Sequence, residues 1–328
     1  MDQELRLGTR GSQLALWQAN TVASRIAAAG GPPCRIVVIR TTGDRLHDAP
    51  LSEVGGKRLF VKEIEDALLR NEIDLAVHSS KDMPAMLPDG LAIGAVLPRE
   101  DPADAVVLPA RAGRGEATAT IEDLVAQLGR SPSIGTGSVR RIAQLTRLFP
   151  GAAFQPIRGN LDTRLRKLDE GAHHALVLAA AGLRRLGFAE RISFALPVEV
   201  CVPAPGQGIV AVEVRAADTP MQRLLGTIND EGSASALTAE RALVQALGGG
   251  CQTPVGALAS PADDETLSLT AVVVALDGSR AVRGQARGPR AEAADLGTRL
   301  GAQLIADGAD EILADARGAQ GAVEGIQP

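Results

Sequence analysis

The chain has 328 residues, 45% of them apolar and 22% charged, with a net charge of −5. That balance describes a globular protein and gives no broad attraction to nucleic acid or anionic membranes. Cys34, Cys201 and Cys251 are odd in number and far apart, which argues against a disulfide framework.

The opening "LRLGT" reads as a short strand, and Ala15, Ala19, Val22 and Ile26 follow at helical spacing. The N-terminal "MDQELRLGTRGS" lacks the apolar centre of a secretory signal, so the cytoplasm is the expected compartment. No apolar stretch approaches the roughly 18 residues of a spanning helix. "CRIVVIRTTGD" is a β-branched run closed by a turn, and "LFVKEIEDALLRNE" puts Val61, Ile64 and Leu68 on one helical face. "DLAVHSSKDMP" is a strand running into a polar loop. Strands separated by helices predict a parallel sheet with crossover helices.

"LPREDPADAVVLP" predicts a crossing between domains, after which the same alternation starts again. Gly8-Thr9-Arg10-Gly11-Ser12 and Gly135-Thr136-Gly137-Ser138 each separate a short strand from an amphipathic helix. The match predicts two α/β domains of similar build. "PVEVCVPAPGQGIVAVEVR" predicts a second crossing and a strand returning to the first domain. From residue 218 the pattern changes to a helix, the strands "PVGALA" and "LSLTAVVVAL", a hairpin at Asp277-Gly278 and a last helix "AADLGTRLGAQLIA". The expected domains are 1–100 with 200–217, then 101–199, then a small α+β domain over 218–328 with a frayed tail.

Arg10, Arg140, Arg141, Arg158, Arg164 and Arg185 all lie near the C-terminal ends of predicted strands. Open α/β sheets bind ligands at that edge. Helix N-termini with small residues and paired guanidinium groups suit carboxylates or phosphates. Six such arginines in an acidic chain predict a polyanionic small molecule. The glycines match neither a P-loop nor a dinucleotide fingerprint. His47, His78, His173 and His174 show no metal-ligand spacing, so no metal is expected. Lys81 and Asp82 enter the same predicted cleft. There Asp82 reads either as half of a surface ion pair or as a fixed negative charge for a cationic intermediate. Cys251 follows "LGGG"; it is either a small residue after a helix cap or a thiol presented to the cleft for covalent chemistry.

Taken in order, "GTRGSQLALWQA", "TTGD", "GGKRLFVKEIE", "HSSKDMP", "REDPADAVV", "GTGSVRR", "RGNLDTRLRKLDEG", "AAAGLRRLG", "PAPGQGIVAVE" and "AERALVQALGGGCQTPVG" resemble the porphobilinogen deaminase family over nearly the whole chain. The resemblance implies a transferase of tetrapyrrole biosynthesis that works as a monomer. Such an enzyme adds four porphobilinogens head to tail, with loss of ammonia, to a dipyrromethane cofactor on the Cys251 thiol, and releases hydroxymethylbilane by hydrolysis. It also implies that Asp82 is catalytic. Lys81, Ser138, Arg140, Arg141, Arg164, Arg185 and Gln207 would hold the cofactor; Arg10, Ser12, Gln18, Arg158 and Arg185 would hold substrate. Lys57 and Phe60 match a mobile segment over the cleft. Glu53 departs from the lysine expected there. The competing reading is a non-enzymatic anion-binding module, because paired doubly wound domains also describe periplasmic solute-binding proteins.

Overall fold

The computed structural model describes residues 4–42, 61–110, 120–248 and 253–324, with side chains through 318. In the first domain β1 (Leu5–Thr9) lies between β2 (Cys34–Val38) and β3 (Leu75–Ser79), parallel to both. β4 (Leu91–Val96) and β10 (Val210–Arg215) complete a sheet of order β2-β1-β3-β10-β4, with β10 antiparallel to both neighbours. Helix α1 (Gln13–Ala28) buries the predicted stripe, and Ala19, Val22 and Ile26 pack against Leu7, Leu75, Val77 and Val212. Helix α2 (Lys62–Leu69) covers the opposite face through Ile64 and Leu68, packed on Ile73 and Ala76. Burying side chains of this size contributes roughly 1.5–3 kcal/mol each. An acidic residue at Ile64 would therefore lift α2 from the sheet.

The second domain repeats this plan. Strands β5 (Asp104–Val107), β6 (Ser133–Gly135), β7 (Ala153–Gln155), β8 (Ala175–Ala179) and β9 (Phe194–Ala195) follow the order β7-β6-β8-β5-β9. β6 pairs in parallel with β7 and β8, while β5 is antiparallel to β8 and β9. Each strand thus has a counterpart in the first sheet, with β5 in the place of β10. The helices are α3 (Ile121–Leu128), α4 (Val139–Thr146), α5 (Leu161–Asp169) and α6 (Ala180–Arg185). The matched turns do matching work: Ser12 caps α1 by accepting from Ala15 N, and Ser138 caps α4 by accepting from Arg141 N.

Two crossings join these domains, and glycines let them touch. Gly208 has φ +88°, and a Cβ there would meet the Glu100 carbonyl of the other crossing. Gly206, at φ +73°, lies as tightly against Ser80.

Helix α7 (Thr219–Gly226) corrects the expected boundary at 218. Its Met221 and Leu225, with Ile228, join the core of the first domain. The third domain begins with α8 (Glu231–Ala246). Its sheet is β11 (Val255–Pro261), β12 (Thr266–Val274) and β13 (Ala281–Pro289), antiparallel throughout, with Gly278 turning the predicted hairpin. α8 and α9 (Ala293–Leu304) share one core with β11 and β12, joined by Ile312 and Leu313. Those two belong to α10 (Asp310–Glu324), a helix where fraying was expected from residue 317.

Buried polar contacts fix α8 to the rest. Glu240 accepts from Arg99 Nη1 and from the amides of Gly206 and Ala259. Farther along, Arg241 Nη2 and Gln245 Nε2 both donate to the Ala85 carbonyl at 2.7 Å. The end of α8 is thereby tied to the loop that leaves Asp82. No described helix is long and apolar enough to cross a membrane.

Candidate active site between the sheet edges

Strand β3 ends at Ser79, and residues 80–82 form a single tight turn closed by Met83 N–H donating to Ser80 O. The turn sets Asp82 at the rim of a cavity lined also by Arg10, Ser12, Gln18, His78 and Ser79. Four predicted residues thus meet in one place. Gln18 is buried and donates from Nε2 to Ser79 Oγ at 2.8 Å, which fixes its amide beside the strand end. His78 Nε2 lies 3.1 Å from Glu213 Oε2, a buried pair beneath the same cavity.

A second group surrounds Asp104, a residue the sequence reading did not single out. Its carboxylate is fully buried and accepts from Arg140 Nη1 (2.6 Å), Arg141 Nε (2.9 Å), Gln207 Nε2 (2.9 Å) and Cys201 Sγ (3.2 Å). Burial pushes the Asp104 carboxyl up. The Arg140 and Arg141 charges outweigh it and hold the group well below the usual carboxylate range. Burial, then the Asp104 charge, pushes the Cys201 thiol up to about 12, so it stays a neutral donor. Removing one partner of a buried ion pair costs roughly 3–5 kcal/mol, because the other charge remains in the interior.

The two adjacent arginines are both turned inward. Arg140, 4% exposed, spends its guanidinium on Asp104 and the Val202 carbonyl. Arg141, 8% exposed, also donates to the Val177 carbonyl at 3.0 Å. Neither is the open clamp that their sequence position suggested. A charge inside the apolar stretch "ADAVV" was the available signal for Asp104, since such a group must be paired.

Gln207 links the two groups, because its Oε1 lies 3.4 Å from Lys81 Nζ. Burial and the Arg141 charge lower the Lys81 pKa from its ordinary 10.5 to about 8, against the pull of Asp82 and Asp104. Arg164, whose Nε donates to Gly159 O, is lowered by burial, then by Arg141, and raised by Asp82. Lys81 and Arg164 each feel the charges of both Arg141 and Asp82, and positive charge is in surplus around them. Arg158 adds to that surplus at Arg164. Arg185 donates to the Gly208 carbonyl at 2.6 Å, on the second crossing. Cys251, Lys57, Phe60 and Glu53 lie outside the described residues. Among the described residues, no three or more His, Cys, Asp or Glu are placed to hold a metal ion.

The Lys81 value has a measurable consequence. Between pH 8 and 10.5 the unfolded chain still holds a proton that folded Lys81 has released. Stability must rise with pH wherever the unfolded state binds more protons. In protein without bound anion, the stability of wild type relative to Lys81→Met should increase across that window in denaturant titrations. A difference that stays flat or falls would place Lys81 outside the cationic cluster.

Comparison with known proteins agrees over both halves of the chain. The family profile "Porphobilinogen deaminase, dipyromethane cofactor binding domain" matches residues 5–223, and "Porphobilinogen deaminase, C-terminal domain" matches residues 234–306. A relative from Geobacter metallireducens named porphobilinogen deaminase is 46% identical over 314 residues, 95% of each chain. Another of that name, from Desulforudis audaxviator, is 47% identical over 319 residues, 97% of this chain and 99% of its own. Among solved structures, the Bordetella pertussis BvgS VFT2 domain aligns with 69% of this chain and 86% of its own, at 15% identity and a TM-score of 0.41.

Proposed function

Because the chain belongs to the porphobilinogen deaminase family, we propose that its cationic cleft holds the polycarboxylate cofactor and product chain of that enzyme. The reaction joins four porphobilinogens head to tail and ends in hydrolysis to hydroxymethylbilane. Each step forms a carbon–carbon bond between pyrroles and loses one ammonia and one ring proton. The observation that carries the assignment of residues is the charge surplus. Burial and Arg141 lower both Lys81 and Arg164, a strain that bound carboxylates would relieve. Acetate and propionate groups on every pyrrole supply those carboxylates.

The donors present fit a dipyrromethane. In this reading Cys251 binds it covalently, and Lys81, Arg141, Arg164, Ser138 and Gln207 take its carboxylates. Arg140 contributes by fixing Asp104, and through it the orientation of Arg141 and Gln207. Arg10, Ser12, Gln18, Arg158 and Arg185 receive the incoming porphobilinogen. Bound there, the dipyrromethane supplies a nucleophilic pyrrole carbon. Asp82 lines the cavity, where its carboxylate can hydrogen-bond pyrrole N–H groups and stabilise positive charge as ammonia departs. The resemblance to the family supports a monomer, and the pathway suits the cytoplasm. A binding module without chemistry is not favoured, since the family is one of enzymes.

The test is direct. Purified protein supplied with porphobilinogen should consume it, release one ammonia per molecule and colour with acidic aldehyde reagent. Saturable binding without consumption would overturn the assignment.

A further inference from the structure

Trp17 is the sole tryptophan of the chain, which contains no tyrosine. It sits half-buried on α1 of the first domain. The Arg185 guanidinium, from the last turn of α6 in the second domain, lies 5.4 Å from the centroid of its ring. That is within the range at which a cation is attracted to an aromatic face. Close by, Leu14 of α1 approaches Gly182 of α6, so the two helices meet at this point. Arg185 also donates a hydrogen bond to the Gly208 carbonyl. Among the described residues no ion pair holds it, and burial lowers its pKa against the pull of Glu100.

A guanidinium uses its face toward a ring and its in-plane N–H groups toward a carboxylate. The two contacts therefore do not compete. A ring on one side removes water and limits the side chain's rotamers, so less freedom is lost when a carboxylate arrives. The sequence reading gave Arg185 to both cofactor and substrate and left Trp17 without a role. We propose that Trp17 is a positioning residue: its indole holds the Arg185 guanidinium across the boundary between the first and second domains, ready for a substrate carboxylate. This rests on the reading of Arg185 as a substrate-binding residue.

Selective excitation of tryptophan sees only Trp17, which makes the contact observable. Emission from the cofactor-loaded protein should change on adding porphobilinogen and saturate near the KM. In Arg185→Met the emission of the unliganded protein should shift and the substrate response should vanish. Trp17→Leu should carry its cofactor by intact mass, raise KM by about 5–30-fold and leave kcat within about threefold, the scale of a partly desolvated cation–ring contact. Trp17→Phe should recover most of the KM. Unchanged emission in unliganded Arg185→Met, or an unchanged KM in Trp17→Leu, overturns the proposal alone. Wild-type protein that consumes no porphobilinogen would overturn both it and the assignment beneath it.

Discussion

Replacing Cys251 by serine is expected to remove both the bound dipyrromethane and turnover. A thiolate is the attacking form of cysteine, and nearby cations favour it. A serine hydroxyl has no comparable anionic fraction at neutral pH without an adjacent base. The folded neighbours support a local effect. Helix α8 ends at Ala246 with its last turns tied to Ala85 through Arg241 and Gln245. Val255 opens β11 of the same domain. Cys251→Ser should therefore unfold at the same denaturant concentration as cofactor-free wild type while its mass equals that of the polypeptide alone. A variant that turned over porphobilinogen would show that the primer is held elsewhere.

Asp82 should separate binding from chemistry. The carboxylate stands at the rim of the cavity with Arg10, Ser12 and Gln18, and its charge is felt at both Lys81 and Arg164. A fixed negative charge accelerates the reaction to the extent that it favours the transition state over the ground state. Asp82→Glu keeps the charge but moves it by one methylene, whereas Asp82→Asn removes it. Both should lower kcat by roughly 10²–10⁴-fold, the range for a positioned acid–base or electrostatic group. KM should move much less, because in the proposed arrangement the arginines hold the carboxylates. Cofactor should still assemble slowly, since attachment needs few turnovers. Steady-state kinetics beside intact mass would decide. Cofactor-loaded Asp82→Asn turning over within a few-fold of wild type would leave Asp82 only a structural partner.

The architecture was legible wherever local pattern and tertiary role coincide. The stripe Ala15, Ala19, Val22 and Ile26 can face only a core, and the mirrored turns before Ser12 and Ser138 generate mirrored strand–cap–helix units. The boundary near 218 was less legible. Met221, Leu225 and Ile228 announce an amphipathic helix but not which sheet it covers. At the site, Asp82, Arg10, Ser12 and Gln18 converge because each leaves a strand end or the helix beside it. The Asp104 cluster was hidden for a different reason. Its bond to Gln207 spans 103 positions, and that of Lys81 to Gln207 spans 126. Neighbouring positions in "SVRR" reveal nothing of what each guanidinium meets in the interior.

A chain of pyrroles is expected to grow on Cys251 inside this cationic cleft. Intact-mass analysis of cofactor-loaded enzyme given a few equivalents of porphobilinogen tests it most directly. The mass should rise in discrete steps, each one porphobilinogen less one ammonia. Digestion should place every step on the peptide containing Cys251, and the ladder should collapse to the starting mass as hydroxymethylbilane is released. Formation of hydroxymethylbilane while the protein stays at the mass of its bare polypeptide, or steps carried on any other peptide, would contradict the account.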